Sequence, residues 1–201
     1  MTALATDDFN RADGALGGNW GSSLHAQAIT IVSNAATTSG AGGDAAHRYT
    51  AVTAPDDGYV QGRLPVTHAD GVGAGYGVIW RASSGGTYYR FIFSASGYSL
   101  DRFASGSFGA TVASGSGTTF AAGDIGKMKW VGNAWTLYKN DVQFATGTDG
   151  NIASGNAAGL AYSSTSNAAD NLDDFEFGDF QSAFVPDPPF VRANQNPILA
   201  R

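Results

Sequence analysis

The sequence contains no cysteine, which removes disulfides, thiolate metal centres and a cysteine nucleophile while leaving the redox compartment open. Glutamate is nearly missing too. Of the 17 acidic residues, Glu176 alone is not an aspartate, and lysine occurs only at Lys127, Lys129 and Lys139. Surface helices draw on Glu and Lys for their solvent faces, and no long stretch repeats apolar residues every 3.6 positions, so helices have little to be built from. There is no basic run, and the formal net charge of −6 opposes attraction to a phosphate backbone. No apolar run approaches the roughly 20 residues of a membrane-spanning helix. Residues 1–8 lack the basic stretch followed by an apolar one that marks a secretory leader. Nucleic acid and membrane are therefore not expected partners.

What is plentiful is glycine, at 28 of 201 residues, beside 43% hydrophobic and 12% aromatic residues. The length suits one soluble domain with a substantial core. Glycine weakens helices, whereas Thr, Tyr, Phe and Val suit pleated, half-buried surfaces, so the composition predicts an all-β chain. Period-2 segments at 28–33, 47–52, 59–67, 76–81, 88–94 and 98–103 read as strands, and so do 126–131, 135–139, 142–146, 159–163 and 172–177. Tight turns are signalled at Ser83-Ser84-Gly85-Gly86, Ser96-Gly97 and Asn140-Asp141. Many short strands at this spacing mean a sandwich or a barrel.

Alternation assigns faces. Tyr76, Val78 and Trp80 share one side of their strand, opposite Ile79 and Arg81; Tyr89, Phe91 and Phe93 lie opposite Tyr88, Arg90 and Ile92. The mixture of aromatic and charged groups in that last set fits two descriptions. One is an open face in a carbohydrate groove, and the other is a solvated face whose rings cover neighbouring side chains. On the first, Trp80, Tyr88, Arg90 and Trp135 are the candidates to stack on sugar rings and bond to hydroxyls.

The C-terminus differs from the rest. Four of the six prolines fall at Pro186, Pro188, Pro189 and Pro197, where they cannot continue a sheet ladder. Residues 1–182 therefore read as the domain and 183–201 as an extended arm. Its apolar Phe184, Phe190, Ile198 and Leu199, with Arg192, suit docking on a neighbouring subunit in a homo-oligomeric assembly. Folding back over the domain's own sheet edge is the alternative.

The opening Asp7-Asp8-Phe9-Asn10-Arg11-Ala12-Asp13-Gly14, followed by Leu16-Gly17 and Asn19-Trp20, resembles the start of concanavalin A-like, laminin-G-like jelly rolls. Leu172-Asp173-Asp174-Phe175-Glu176 is similar to their closing strand, and Tyr59-Val60-Gln61, Gly77-Val78-Ile79-Trp80-Arg81 and Tyr88-Tyr89-Arg90 fall between in the expected order. The resemblance covers about residues 6–180. It implies a two-sheet antiparallel jelly-roll sandwich whose first and last strands pair, with Phe9, Trp20, Phe91, Trp130 and Phe175 buried. Related jelly rolls often hold a structural calcium ion by their terminal strands, which makes Asp7, Asp8, Asp173 and Asp174 the implied ligands. The alternative is that these carboxylates cap turns and face water.

Chemistry is sparse. Laminarinase-type hydrolases among such jelly rolls present a Glu-x-Asp-x-x-Glu strand, which one glutamate cannot supply, and no spacing singles out an aspartate pair to serve instead. His25, His47 and His68 stand apart, and there is no nucleophile elbow or phosphate loop. The expectation is a non-enzymatic protein. Because such jelly rolls are common in bacteriophage virion proteins, the resemblance implies a tail, baseplate or capsid-decoration role in a virion, with host surface glycans as partners. A carbohydrate-binding module of a secreted bacterial protein is the other reading.

Overall fold

The computed structural model describes residues 1–38, 43–67, 71–164 and 171–180, and among them there are sixteen strands and no helix. The strands are β1 (Thr2–Asp7), β2 (Gly14–Ala15), β3 (Trp20–Ser23), β4 (Ile29–Val32), β5 (Ala35–Thr38), β6 (Gly43–Tyr49), β7 (Gly58–Arg63) and β8 (Gly75–Ala82). They continue as β9 (Tyr88–Ser94), β10 (Gly97–Ala104), β11 (Ser107–Gly115), β12 (Ile125–Val131), β13 (Ala134–Lys139), β14 (Val142–Thr148), β15 (Ala157–Ser164) and β16 (Asp173–Asp179). One sheet runs β1-β16-β7-β12-β13-β14 and the facing sheet β11-β10-β9-β8-β15-β6-β3; a small third sheet joins β2, β4 and β5. This is the two-sheet antiparallel sandwich expected from the composition and the resemblance.

Period-2 alternation fills the space between the sheets. Val60, Met128, Trp130, Leu137, Phe175 and Phe177 point inward from one side and Tyr76, Val78, Trp80, Tyr89, Phe91 and Phe93 from the other, in a single apolar cluster. The two ends of the domain pair as expected, with Asp7 opposite Phe175 and Thr2 opposite Asp179. After β1 the chain turns sharply: Phe9 adopts φ 50°, and its N–H donates to Asp7 Oδ1 at 2.9 Å. That turn drives its ring into the core beside Trp20 and Phe175. Phe9, Trp20, Phe91, Trp130 and Phe175 are all buried.

Several sequence expectations need correction. The strand placed at 47–52 is Gly43–Tyr49, because the Thr50 N–H leaves the ladder for the Asn19 carbonyl at 2.8 Å. Alternation did not pick out strands β1, β2, β3, β5 and β11. Their Ala-, Thr-, Ser- and Gly-rich sequences have weak propensity of their own, and partner strands impose the extended form. The face carrying Tyr88, Arg90 and Ile92 is neither open nor solvated, since every residue of β8 and β9 is buried. Arg81 does not stay on the Ile79 side. The β15–β8 register slips between Ala157 and Gly159, Arg81 takes φ 51°, and its guanidinium lies 5.1 Å from the Trp130 ring. The arm residues Phe184, Phe190, Arg192, Ile198 and Leu199 lie outside the described residues, as does His68.

His47 ties three strands together and makes the fold pH-sensitive. Its Nδ1 donates to the Gly21 carbonyl at 2.9 Å, and its Nε2 accepts the Ile29 N–H at 3.1 Å. Only the neutral ring can do both. Burial pushes its pKa below the ordinary value, against the pull of the Gly21 carbonyl. A histidine held neutral in the fold stabilises it fully above the unfolded value near 6.5, and that contribution is lost as the pH falls from there through the folded pKa. The urea midpoint should therefore drop as the pH falls below about 6.5, and His47→Asn should flatten that slope. A midpoint independent of pH below that value would contradict the assignment.

Candidate functional site

Hairpin β9–β10 sets Arg90 directly opposite Asp101 and Tyr88 opposite Phe103, on the face of the seven-stranded sheet turned away from the core. Strand β11 adds Thr111 opposite Asp101 and Phe108 opposite Phe103. Arg90 is 4% exposed, so its charge has to be met inside the protein. One terminal nitrogen reaches Asp44 at 2.6 Å and the other reaches Asp101 Oδ2 at 3.0 Å. The guanidinium carbon sits 4.5 Å from the centre of the Phe103 ring. Asp101 is satisfied in turn: Ser99 Oγ donates to Oδ2 and Thr111 Oγ1 to Oδ1, both at 3.0 Å.

An aromatic row runs beside this cluster. Tyr88 and Phe103 stack at 4.8 Å, 8° from parallel, and His25 meets both rings edge-on while bonding the Tyr88 hydroxyl through Nε2. Burial raises the pKa of that hydroxyl and lowers that of His25, so both are neutral at pH 7. The row ends at Phe108, whose ring contacts Phe103 edge-on at 5.9 Å yet is 57% exposed. Phe108, Val72, Gly73, Arg90, Ser99, Asp101, Thr111 and Ser114 line a pocket of about 280 Å³. Gly73 needs its φ of +82° to bring the backbone against Ser99; a Cβ there would stand 3.3 Å from the Ser99 hydroxyl.

Of the residues expected to bind sugar, only Arg90 reaches this pocket. Trp80 and Tyr88 have no exposed surface and Trp135 only 6%, so none presents a free ring face for stacking. Trp80 instead donates its indole N–H to the Asp56 carbonyl at 3.2 Å, Tyr88 lies beneath His25, and Trp135 belongs to the core between the sheets. The residues that sequence reasoning missed are Phe108, Ser99, Asp101 and Thr111. A readable signal existed for Asp101. The Ser96-Gly97 turn fixes the hairpin register, and that register pairs Arg90 with Asp101. Phe108 had no such signal, because its strand is too rich in Ser and Gly to stand out.

The acidic residues of the two termini do come together. Asp7, Asp8 and Asp174, with Arg11, Asn19, Gln61 and Glu176, line a second groove of about 710 Å³. Arginines engage three of the four carboxylates implied as calcium ligands, Asp7, Asp173 and Asp174. Arg11 binds both oxygens of Asp7 at 2.6 and 3.0 Å, and Trp20 Nε1 adds a third bond at 2.8 Å. Burial pushes the Asp7 carboxyl up, but these bonds outweigh it and hold it below the ordinary value. Arg63 bridges Asp173 at 2.7 Å and Asp174 at 2.6 Å. Among the described residues, no group of three or more His, Cys, Asp or Glu side chains is arranged to hold a metal ion.

No family model matches the chain, and no curated protein matches it in sequence. Solved structures match its fold. A carbohydrate-binding module of Bacillus subtilis, 15% identical, aligns with TM-score 0.58 over 82% of this chain and 95% of its own. A Bacillus licheniformis β-glucanase, 12% identical, aligns at 0.53 over 87% and 95%. The exoplasmic/lumenal domain of VIP36 in its Ca2+- and mannose-bound form, 10% identical, aligns at 0.53 over 81% and 84%. The chain thus has the concanavalin A-like jelly-roll fold.

Proposed function

We propose that this domain is a non-enzymatic saccharide-binding module whose ligand rests between the exposed Phe108 ring and the Arg90–Asp101 cluster. The observation that carries the reading is this pairing in one pocket: an uncovered aromatic ring beside a buried, hydrogen-bonded set of charged and hydroxyl side chains. A pyranose presents the complement, an apolar ring face and a rim of hydroxyls. The likeness to a carbohydrate-binding module and to a mannose-bound lumenal domain supports it. Glycoside hydrolysis takes two positioned carboxylates. This pocket is lined by one, Asp101, and both of its oxygens are already engaged.

The setting we propose is a bacteriophage particle, with residues 183–201 engaging neighbouring subunits and the pocket facing host glycans. The two ends of the domain resemble those of jelly rolls that are common in bacteriophage virion proteins, which supports that placement. A chain truncated after Ser182 should fold yet fail to join particles; normal incorporation would rule out the arm's role.

Phe108→Ala tests the site. Phe108 is mostly exposed, so its removal should leave the melting temperature within a degree or two of the parent. Lost ring burial of roughly 1.5–3 kcal/mol should weaken saccharide binding by tenfold or more. Titration calorimetry showing undiminished affinity would sink the assignment.

A further inference from the structure

We infer that the pocket selects electrically neutral saccharides and rejects those carrying carboxylate or sulfate groups, an inference that rests on its reading as a saccharide site. Two independent features lead there, and the first is charge. Arg90 is the one cation of the cluster, and it is already shared by two carboxylates, Asp44 at 2.6 Å and Asp101 at 3.0 Å. The cluster therefore carries a formal charge of −1 inside a chain of net charge −6. An arginine that bound an acidic sugar would offer an uncommitted fork of terminal N–H groups. Each terminal nitrogen of Arg90 instead already gives one N–H to an aspartate.

The second feature is hydrogen-bond polarity. The hydroxyls of Ser99 and Thr111 spend their single protons on Asp101. What remains on each oxygen is accepting capacity. Asp44 is a carboxylate with one-third of its side chain exposed, and it can only accept. The pocket oxygens of Ser99, Thr111 and Asp101 are thus acceptors, with the Asp44 carboxylate behind Arg90. Sugar hydroxyls meet such a surface well, because each can donate to Ser99 or Thr111. A carboxylate or sulfate has no proton to give, and it would set acceptor against acceptor as well as charge against charge.

The experiment compares matched probes by titration calorimetry at pH 7.5. Galacto- and manno-oligosaccharides are set against oligogalacturonates and oligomannuronates of equal length. A ligand carboxylate about 6 Å from an uncompensated aspartate, in a medium of effective dielectric near 40, costs about a factor of ten in affinity. The neutral member of a pair should bind at least about tenfold more tightly, with a gap that narrows as salt is raised. Asp44→Asn should narrow the gap as well, because it removes the uncompensated charge. Acidic oligosaccharides that bind as tightly as neutral ones, through a site that Phe108→Ala destroys, would overturn the inference while leaving the saccharide site standing. If no saccharide binds, or binding survives Phe108→Ala, the site reading falls and this inference with it.

Discussion

Replacing Arg90 by methionine should destabilise the protein by about 3–5 kcal/mol and abolish saccharide binding at the pocket. Methionine preserves much of the side chain's length and apolar stem, so the loss isolates the charge. Asp101 would be left as a carboxylate with only 5% of its side chain exposed and two neutral hydroxyl donors in place of a guanidinium. Asp44, one-third exposed, would turn to water at little cost. The double variant Arg90→Met/Asp101→Asn should recover a large part of the lost stability, because the penalty belongs to the abandoned charge rather than to either side chain alone. Urea denaturation of the four members of this cycle gives the coupling. A single variant costing under about 1 kcal/mol, within the range of an exposed ion pair, would show that the Arg90–Asp101 pair is not buried in solution.

Arg81→Met should cost about 3 kcal/mol or more through a different mechanism. The Arg81 guanidinium donates to three carbonyls from three separate connections: Asp56 at 3.1 Å, Ile152 at 2.9 Å and Gly132 at 2.6 Å. Asp57 stands 3.5 Å away at the surface, and the Trp130 ring lies beneath. Deleting the fork leaves the Ile152 and Gly132 carbonyls without this donor, while the Asp56 carbonyl keeps the Trp80 N–H, at roughly 1–3 kcal/mol for each acceptor that water cannot reach. Lysine should not rescue it, since one ammonium cannot match a planar fork directed at three loops. Proteolytic nicking between residues 149 and 156 should rise sharply while saccharide affinity stays near the parent's. Arg81 does not line the pocket, which separates this prediction from the one for Arg90. Unchanged stability would mean that water satisfies these carbonyls.

Much of the architecture was legible in the chain before any coordinates. Eleven strands follow from alternation and turn residues, and the neighbouring rows of Tyr76, Val78, Trp80 and Tyr89, Phe91, Phe93 occupy the core as their period-2 spacing requires. The pairing of β1 with β16 came from the resemblance of the two ends, not from periodicity. The strands that escaped reading are the short or Gly-, Ser- and Ala-rich ones, whose extended form is imposed by neighbours.

The site was far less legible, for one physical reason. A period of two says which residues share a face, but not whether that face is covered. Trp80, Tyr88 and Trp135 have the chemistry of sugar platforms, yet packing closes all three, and exposure falls to Phe108 at the end of the aromatic row. The terminal aspartates have the chemistry of calcium ligands. The pairing of Asp7 with Arg11 and of Asp173 and Asp174 with Arg63 depends on distances of 2.6 to 3.0 Å that only the folded chain creates. Composition, alternation and turn chemistry, which act locally along the chain, determined by themselves that this protein is all-β and which residues face inward. Burial, charge pairing and access to the pocket depend on segments far apart in sequence, and only the tertiary structure decided them.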